Sequence, residues 1–265
     1  MKFLNDLPLM LLALPAVLLS LSVHEASHGY AAYKLGDNTA KNLGRLTLNP
    51  LKHINVFGFI SMLLFSVGWA NPVPINPRNF KDSRKGMAIS AAAGPLSNLC
   101  LAIIFTILLR LVLIPIEAIA NNYATDIYAI TGPYGLNPNN TYWINPALSE
   151  NTTFIILSLL AVLLYLGIGL NINLMFFNLI PLPPLDGSRI AYIFLPSHIY
   201  FKIMQYERYI MIGFIVLLAT GILTLPLGRV TGGLTNILYT ITGMPEDLLT
   251  VVFSDIVNKL PKFTL

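Results

Sequence analysis

A cluster of ionisable side chains sits inside an apolar run long enough to cross a bilayer, and that conflict limits what this chain can become. The run extends from Leu7 to Tyr33 and contains His24-Glu25-Ala26-Ser27-His28. A bilayer-crossing helix needs ~20 mostly apolar residues. Residues four apart on a helix share a face, so His24 and His28 can hold one metal ion. Glu25 then lies beside the metal, placed to act as a base toward water. A carboxylate and two imidazoles at membrane depth are costly, and such residues mark function. The alternative is coincidence, because H-E-x-x-H is a short pattern.

Composition supports the membrane reading. The chain has 265 residues, of which 55% are hydrophobic and 11% charged; soluble domains carry about 25% charged residues. This predicts an all-α polytopic membrane protein embedded in a lipid bilayer. The net charge of +4 gives no reason to expect nucleic acid as a partner, since the basic residues cluster in particular loops as membrane topology requires. The lone Cys100 excludes an intramolecular disulfide and reads as a buried, inert thiol. The first apolar run does not read as a cleavable signal, because it is too long and contains the histidine motif.

Four segments are expected to span: 7–33, 87–114, 153–177 and 209–227. With shorter apolar stretches counted, the fold class is a bundle of about four to six transmembrane helices. The stretch from Thr231 to Thr242 is too short and too Gly-rich to be assigned as a span. Residues 1–227 form the expected core, including a membrane-associated region at 40–80 and an outside loop at 115–152. Residues 228–265 form a C-terminal helical region. Within it, Met244 to Leu260 carries an apolar stripe of Leu248, Leu249, Val252, Ile256 and Leu260, expected to lie on the membrane surface or on the protein itself.

Charge asymmetry sets an orientation. Lys34, Lys41, Arg45, Lys52, Arg78, Lys81, Arg84 and Lys85 lie between the first two spans, whereas the loop from Pro115 to Thr152 has neither Lys nor Arg. The positive-inside rule makes the first loop cytoplasmic and the second external, where Asn139 and Asn151 head sequons that read as ordinary loop residues. His24 precedes Lys34 by ten residues, so at ~1.5 Å rise per residue the site lies roughly 15 Å in from the cytoplasmic end. Hydrolysis at that depth needs a polar cavity open to the cytoplasm.

Two histidines do not complete a catalytic metal site, which commonly has three protein ligands and an open position. His53, in the cytoplasmic loop, and His198, near an expected interface, are poor candidates. Asp186 is the best one. It follows Asn178-Leu179-Ile180-Pro181-Leu182-Pro183-Pro184-Leu185 directly after a span, and the prolines forbid a regular helix there. Irregular backbone at membrane depth is tolerated where protein or a water-filled cavity surrounds it. An acid on such a break can reach a metal held by another helix. The competing reading is an Asp-Gly turn at the interface, and no spacing rule links Asp186 to His24.

These two patterns together resemble the site-2 protease family of intramembrane zinc metalloproteases. The resemblance rests on His24-Glu25-x-x-His28 in one span and Asn178-x-x-Pro181-x-Pro183-x-Leu185-Asp186-Gly187 after a later one. Gly44-Arg45-Leu46-Thr47-Leu48-Asn49-Pro50, Pro72-Val73-Pro74 and Ala93-Gly94-Pro95-Leu96-Ser97-Asn98 also match. It covers about residues 15–195, with no sign of the extra soluble domains some members carry, so a compact, core-only member is expected. The resemblance implies one Zn2+ per chain held by His24, His28 and Asp186, with Glu25 as catalytic acid/base. It implies that Asn178 contacts substrate or transition state. It also implies a membrane-associated β-hairpin after the first catalytic helix, and the alternation in Gly44 to Pro50 agrees.

The implied reaction is hydrolysis of a peptide bond in or near the transmembrane segment of a single-span membrane protein. A membrane-tethered transcription regulator, an anti-sigma factor and a remnant signal peptide are the expected substrate kinds. The implied location is the cell membrane, with the active site toward the cytoplasm. Asn178 also reads as a cap or inter-helix hydrogen bond, and His53 as either an oxyanion donor or an interfacial polar residue. Ser90 to Gly94 reads as a small-residue packing surface, with Asn98 one turn on. The alternatives are a metal transporter and a non-catalytic membrane scaffold. Glu25 beside His24 suits hydrolysis, and transport does not need it.

Overall fold

The computed structural model describes residues 2–65, 70–122, 134–136, 142–144, 150–220, 224–245, 248–250, 252–253 and 256. In chain order the helices are α1 (Lys2–Lys34), α2 (Thr39–Asn42), α3 (Val56–Phe65), α4 (Ser83–Asn122), α5 (Thr152–Leu179), α6 (Asp186–Ala191), α7 (Ser197–Ala219) and α8 (Thr224–Thr242). Two short strands, β1 (Tyr134–Leu136) and β2 (Tyr142–Ile144), fall between α4 and α5.

Among the described residues, three helices are long and apolar enough to cross a membrane: Leu7–Lys34, Ser83–Asn122 and Thr152–Leu179. Three of the expected four to six are thus present among the described residues. The apolar composition of 209–227 does not correspond to one helix: α7 starts upstream at Ser197 and ends at Ala219, and α8 starts at Thr224. Residues 221–223 lie outside the described residues. Hydropathy alone does not register such a break.

The chain divides into two compact units. One comprises Met1–Ala16, Ile103–Ile168 and Asn236–Leu265; the other comprises Val17–Ala102 and Gly169–Thr235. In the first unit, α4 buries Leu109, Leu113, Ile116 and Ala120 and exposes Ile104, Ile107, Leu111 and Ile114. An apolar face left uncovered at helical spacing suits a helix whose outer side meets lipid. The strands pair antiparallel, with Tyr134 opposite Ile144 and Leu136 opposite Tyr142. Leu248, Leu249, Val252 and Ile256 are buried, and the Phe253 ring lies 5.2 Å from that of Tyr165, so this stripe packs on protein. Leu260 and the rest of the Met244–Leu260 expectation lie outside the described residues.

The second unit contains the histidine motif and Asp186. There α1 ends in a hydrogen-bonded reversal: the Gly36 N–H donates to Tyr33 O (3.1 Å) and the Asp37 N–H to Ala32 O (2.9 Å). Gly36 has φ +106°, a conformation open mainly to glycine, and this stops the helix and turns the chain. The turn buries Asp37, whose carboxylate accepts from Thr39 Oγ1 (2.5 Å), Thr39 N (3.1 Å), Asn76 N (2.7 Å) and Asn79 Nδ2 (2.6 Å). The segment leading into α4 is thereby tied to the end of α1.

No strand occurs among the described residues of 40–80. The Leu46/Leu48 alternation is there, but local bonds take the groups a ladder would use. Arg45 N donates to Ala40 O (2.9 Å), Asn49 N to Thr47 Oγ1 (3.1 Å), and His53 Nε2 to Thr47 O (2.8 Å). Such side-chain bonds compete with sheet formation. One isolated antiparallel bridge joins Ile54 to Ala70. Cys100 is exposed on α4, not buried as its apolar neighbours suggested; periodicity turns it outward.

Candidate metal centre

His24 and His28 lie one turn apart on α1, both buried. Asp186 comes from a distant part of the chain. After α5 the prolines prevent helical continuation, and the chain makes tight turns with Leu182 N bonded to Ile180 O (2.8 Å) and Leu185 N to Leu182 O (2.9 Å). Extended backbone at Leu185 then starts α6, which sets Asp186 in the first turn.

The three side chains converge. His24 Nε2 and His28 Nε2 are 3.0 Å apart, and Asp186 Oδ2 lies 3.2 Å from the first and 3.3 Å from the second. Among the described residues, these are the three ligand-type side chains that meet within metal-binding reach. The opposite ring nitrogens are occupied. His24 Nδ1 is 2.5 Å from Asn98 Oδ1, and His28 Nδ1 is 2.8 Å from the Ser90 carbonyl oxygen. A carbonyl only accepts, so the Ser90 contact requires His28 to carry its proton on Nδ1. With His24 protonated on Nδ1 as well, both Nε2 atoms would present lone pairs to the same point as a carboxylate oxygen, and Asp186 Oδ2 is buried without a conventional hydrogen-bond donor. Two imidazole lone pairs and a carboxylate facing one another fit a divalent cation, and the donor set is that of a zinc site.

α4 closes the site from one side through Gly94. A Cβ at that position would overlap His28 Cε1 and Nε2 and approach His24 Cε1 within 2.6 Å, so only glycine lets this backbone lie against both imidazoles. Glu25 follows His24 directly on α1, and its Oε2 accepts from the Val73 N–H (2.9 Å). The Arg45 guanidinium donates to the carbonyl oxygens of Asn71 (2.6 Å) and Pro72 (3.4 Å) on the same segment.

The remaining sequence candidates are placed as follows. The Asn178 side chain donates to Leu174 O in its own helix (3.0 Å). It stands seven residues after the buried Asn171 and three after the buried Met175, hence on their side of α5. His53 is buried in the loop on Thr47 O and is not part of the cluster. The side chain of His198 lies outside the described residues. Sequence reasoning missed Asn171 and the Val73 amide. Asn171 had a signal, being an amide in the middle of an apolar span. A backbone N–H has none.

Comparison with known proteins decides the family. The model for Peptidase family M50, which includes the site-2 proteases, matches residues 12–220. The chain belongs to Peptidase family M50. Over 244 residues this M50 peptidase is 36% identical to a Bacillus subtilis protein named as a zinc metalloprotease, YwhC, covering 92% of this chain and 91% of the relative. It is also 29% identical over 114 residues to a Mycolicibacterium smegmatis protein named as a zinc metalloprotease, Rip2, covering 41% of this chain and 44% of the relative. No solved structure matches significantly. The family match takes in the histidine motif, Asn98, Asn171, Asn178 and Asp186 alike.

Proposed function

We propose that this M50 peptidase is a zinc-dependent intramembrane endopeptidase that hydrolyses a peptide bond in or near the transmembrane segment of a single-span membrane protein. The observation that carries the reading is the convergence of His24 Nε2, His28 Nε2 and Asp186 Oδ2 on one point beside Glu25. His24, His28 and Asp186 are the metal ligands in this reading. Bound there, zinc supplies Lewis acidity that makes water nucleophilic near neutral pH and polarises the scissile carbonyl.

The chain's own groups do the rest. Glu25 accepts a proton from the attacking water and returns it to the leaving amine. The Val73 N–H fixes the direction of that carboxylate before substrate arrives. Asn178 lies on the side of α5 shared with Asn171, and its amide serves as a donor to the developing oxyanion once it releases Leu174 O. A transmembrane substrate must unwind to expose its peptide bonds. The Leu46–Leu48 stretch faces Val23, Ala26, Ser27 and Tyr30 of α1 across a cavity of about 320 Å³, and this supports binding of an extended substrate segment there.

Orientation follows the charges. The basic residues around the end of α1 and the start of α4 support a site that faces the cytoplasm in the cell membrane. A membrane-tethered transcription regulator, an anti-sigma factor or a remnant signal peptide meets the requirement for a single span.

The test is zinc content of the detergent-purified protein together with cleavage of reconstituted single-span substrates. One zinc per chain, lost in Asp186→Ala and kept in Glu25→Gln, with cleavage lost in both, is expected. Zinc indifferent to Asp186, or cleavage surviving Glu25→Gln, would overturn the reading and return the transporter and scaffold alternatives.

A further inference from the structure

The polar side chains behind the metal centre form a continuous hydrogen-bonded chain. His24 Nδ1 faces Asn98 Oδ1 at 2.5 Å. Asn98 Nδ2 donates to Asn171 Oδ1 at 2.8 Å, and Asn171 Nδ2 donates to Ser20 Oγ at 2.8 Å. Asn98, Asn171 and Ser20 are fully buried, so no water substitutes for a missing partner. These groups come from α1, α4 and α5 within one compact unit.

An amide carries its donor and acceptor on opposite branches. A row of amides joined end to end therefore has two self-consistent directions and no mixed one. In the direction observed, every donor points away from His24, and Asn98 offers His24 an acceptor. His24 must then keep its proton on Nδ1 and present a bare Nε2 to His28 and Asp186. With both amides turned over, Asn98 would offer an N–H to Nδ1, the proton would move to Nε2, and the metal-binding lone pair of His24 would be lost. His28 needs no such arrangement, because the Ser90 carbonyl can only accept.

We propose that Asn171, acting through Asn98, is a positioning residue that sets the tautomer of His24 and so the zinc affinity of the site. The proposal rests on the zinc-site reading above. Asn171 holds Asn98 by accepting its N–H and itself donates to the Ser20 hydroxyl.

The chain predicts a graded effect. Loss of a group that orients a metal-bound imidazole typically weakens metal binding about 10–100-fold. Asn98→Leu and Asn171→Leu are expected in that range, and Ser20→Ala at less than tenfold. Asn98→Asp retains the acceptor toward Nδ1 and is expected to stay within a few-fold of wild type. Zinc affinity is read by chelator competition on the full-length protein in detergent. Nitrogen NMR of the metal-free protein with labelled histidine reads the tautomer directly, with His24→Gln assigning the signal. An Nδ1-protonated His24 in wild type and mixed tautomers in Asn171→Leu are expected. A wild-type His24 protonated on Nε2 overturns the proposal, and so does unchanged zinc affinity in Asn171→Leu. The NMR measurement needs no metal. Absence of zinc from wild type with the expected tautomer therefore sinks the zinc reading, whereas zinc bound equally by wild type and Asn171→Leu sinks only the relay.

Discussion

The Val73 backbone N–H donates to Glu25 Oε2 at 2.9 Å, joining the acid of the histidine motif to a loop 48 residues away. Val73 lies between Pro72 and Pro74, neither of which has an N–H, so this is the only amide that the tripeptide can offer. Val73→Pro would remove it. Zinc content should remain at the wild-type level while cleavage falls about 10–100-fold, part of the 10²–10⁴ that general acid–base catalysis supplies. Turnover alongside zinc analysis checks this; full activity in the variant would leave Glu25 independent of the loop.

Gly94 gives a steric prediction. Gly94→Ala puts a methyl group where His24 and His28 already lie. Overpacking costs about 1–3 kcal/mol, and relief must come from moving α4 or the imidazoles. Zinc affinity and thermal stability should fall together. Gly169→Ala, where a Cβ meets nothing within 4 Å, is the control and should change neither.

Asp37 gives a pH prediction. Burial works against its charge, but hydrogen bonds from Thr39, Asn76 and Asn79 outweigh it and hold the carboxyl below the ordinary carboxylate value. A carboxyl depressed on folding contributes stability above its unfolded value, ~3.9, and that contribution disappears as pH falls through the lower folded value. Thermal unfolding from pH 7 to pH 3 should therefore show a smaller acid-side decline in Asp37→Asn than in wild type, from a lower starting stability. Equal slopes would remove Asp37 as the source.

Metal removal gives the last one. A chelator should abolish cleavage, and added zinc should restore it, since the proposed nucleophile depends on the ion. Asp186→Ala should resist restoration at zinc concentrations that suffice for wild type. Rescue equal to wild type would show that two histidines hold the metal unaided.

Much of this was legible in the chain itself. The three long apolar helices follow from composition, because a bilayer admits few other backbone solutions. His24, Glu25 and His28 could be assigned from spacing, since helical geometry puts residues four apart on one face. Asp186 was identifiable as an acid on a proline-broken segment, but not as a neighbour of His24. No local rule fixes the path of a chain across 161 intervening positions, and only packing in the second unit brings Oδ2 to 3.2 Å from that imidazole. The strand pattern at Leu46 and Leu48 forms no ladder among the described residues for the converse reason: alternation is local, whereas a ladder needs a partner, and Thr47 O and Arg45 N bond to His53 and Ala40 instead.

The sequence by itself determined the membrane-helical class, two of the three converging side chains and the acid beside them, all through periodicities that a helix imposes regardless of context. Only the tertiary structure decided which distant groups complete the centre. Asp186 in front of His24, Asn98 and Asn171 behind it, the Ser90 carbonyl on His28 and the Val73 amide on Glu25 each depend on two segments meeting at hydrogen-bond distance. Most buried polar groups find a hydrogen-bond partner within the protein. Packing selects that partner, and the linear order of residues does not contain it.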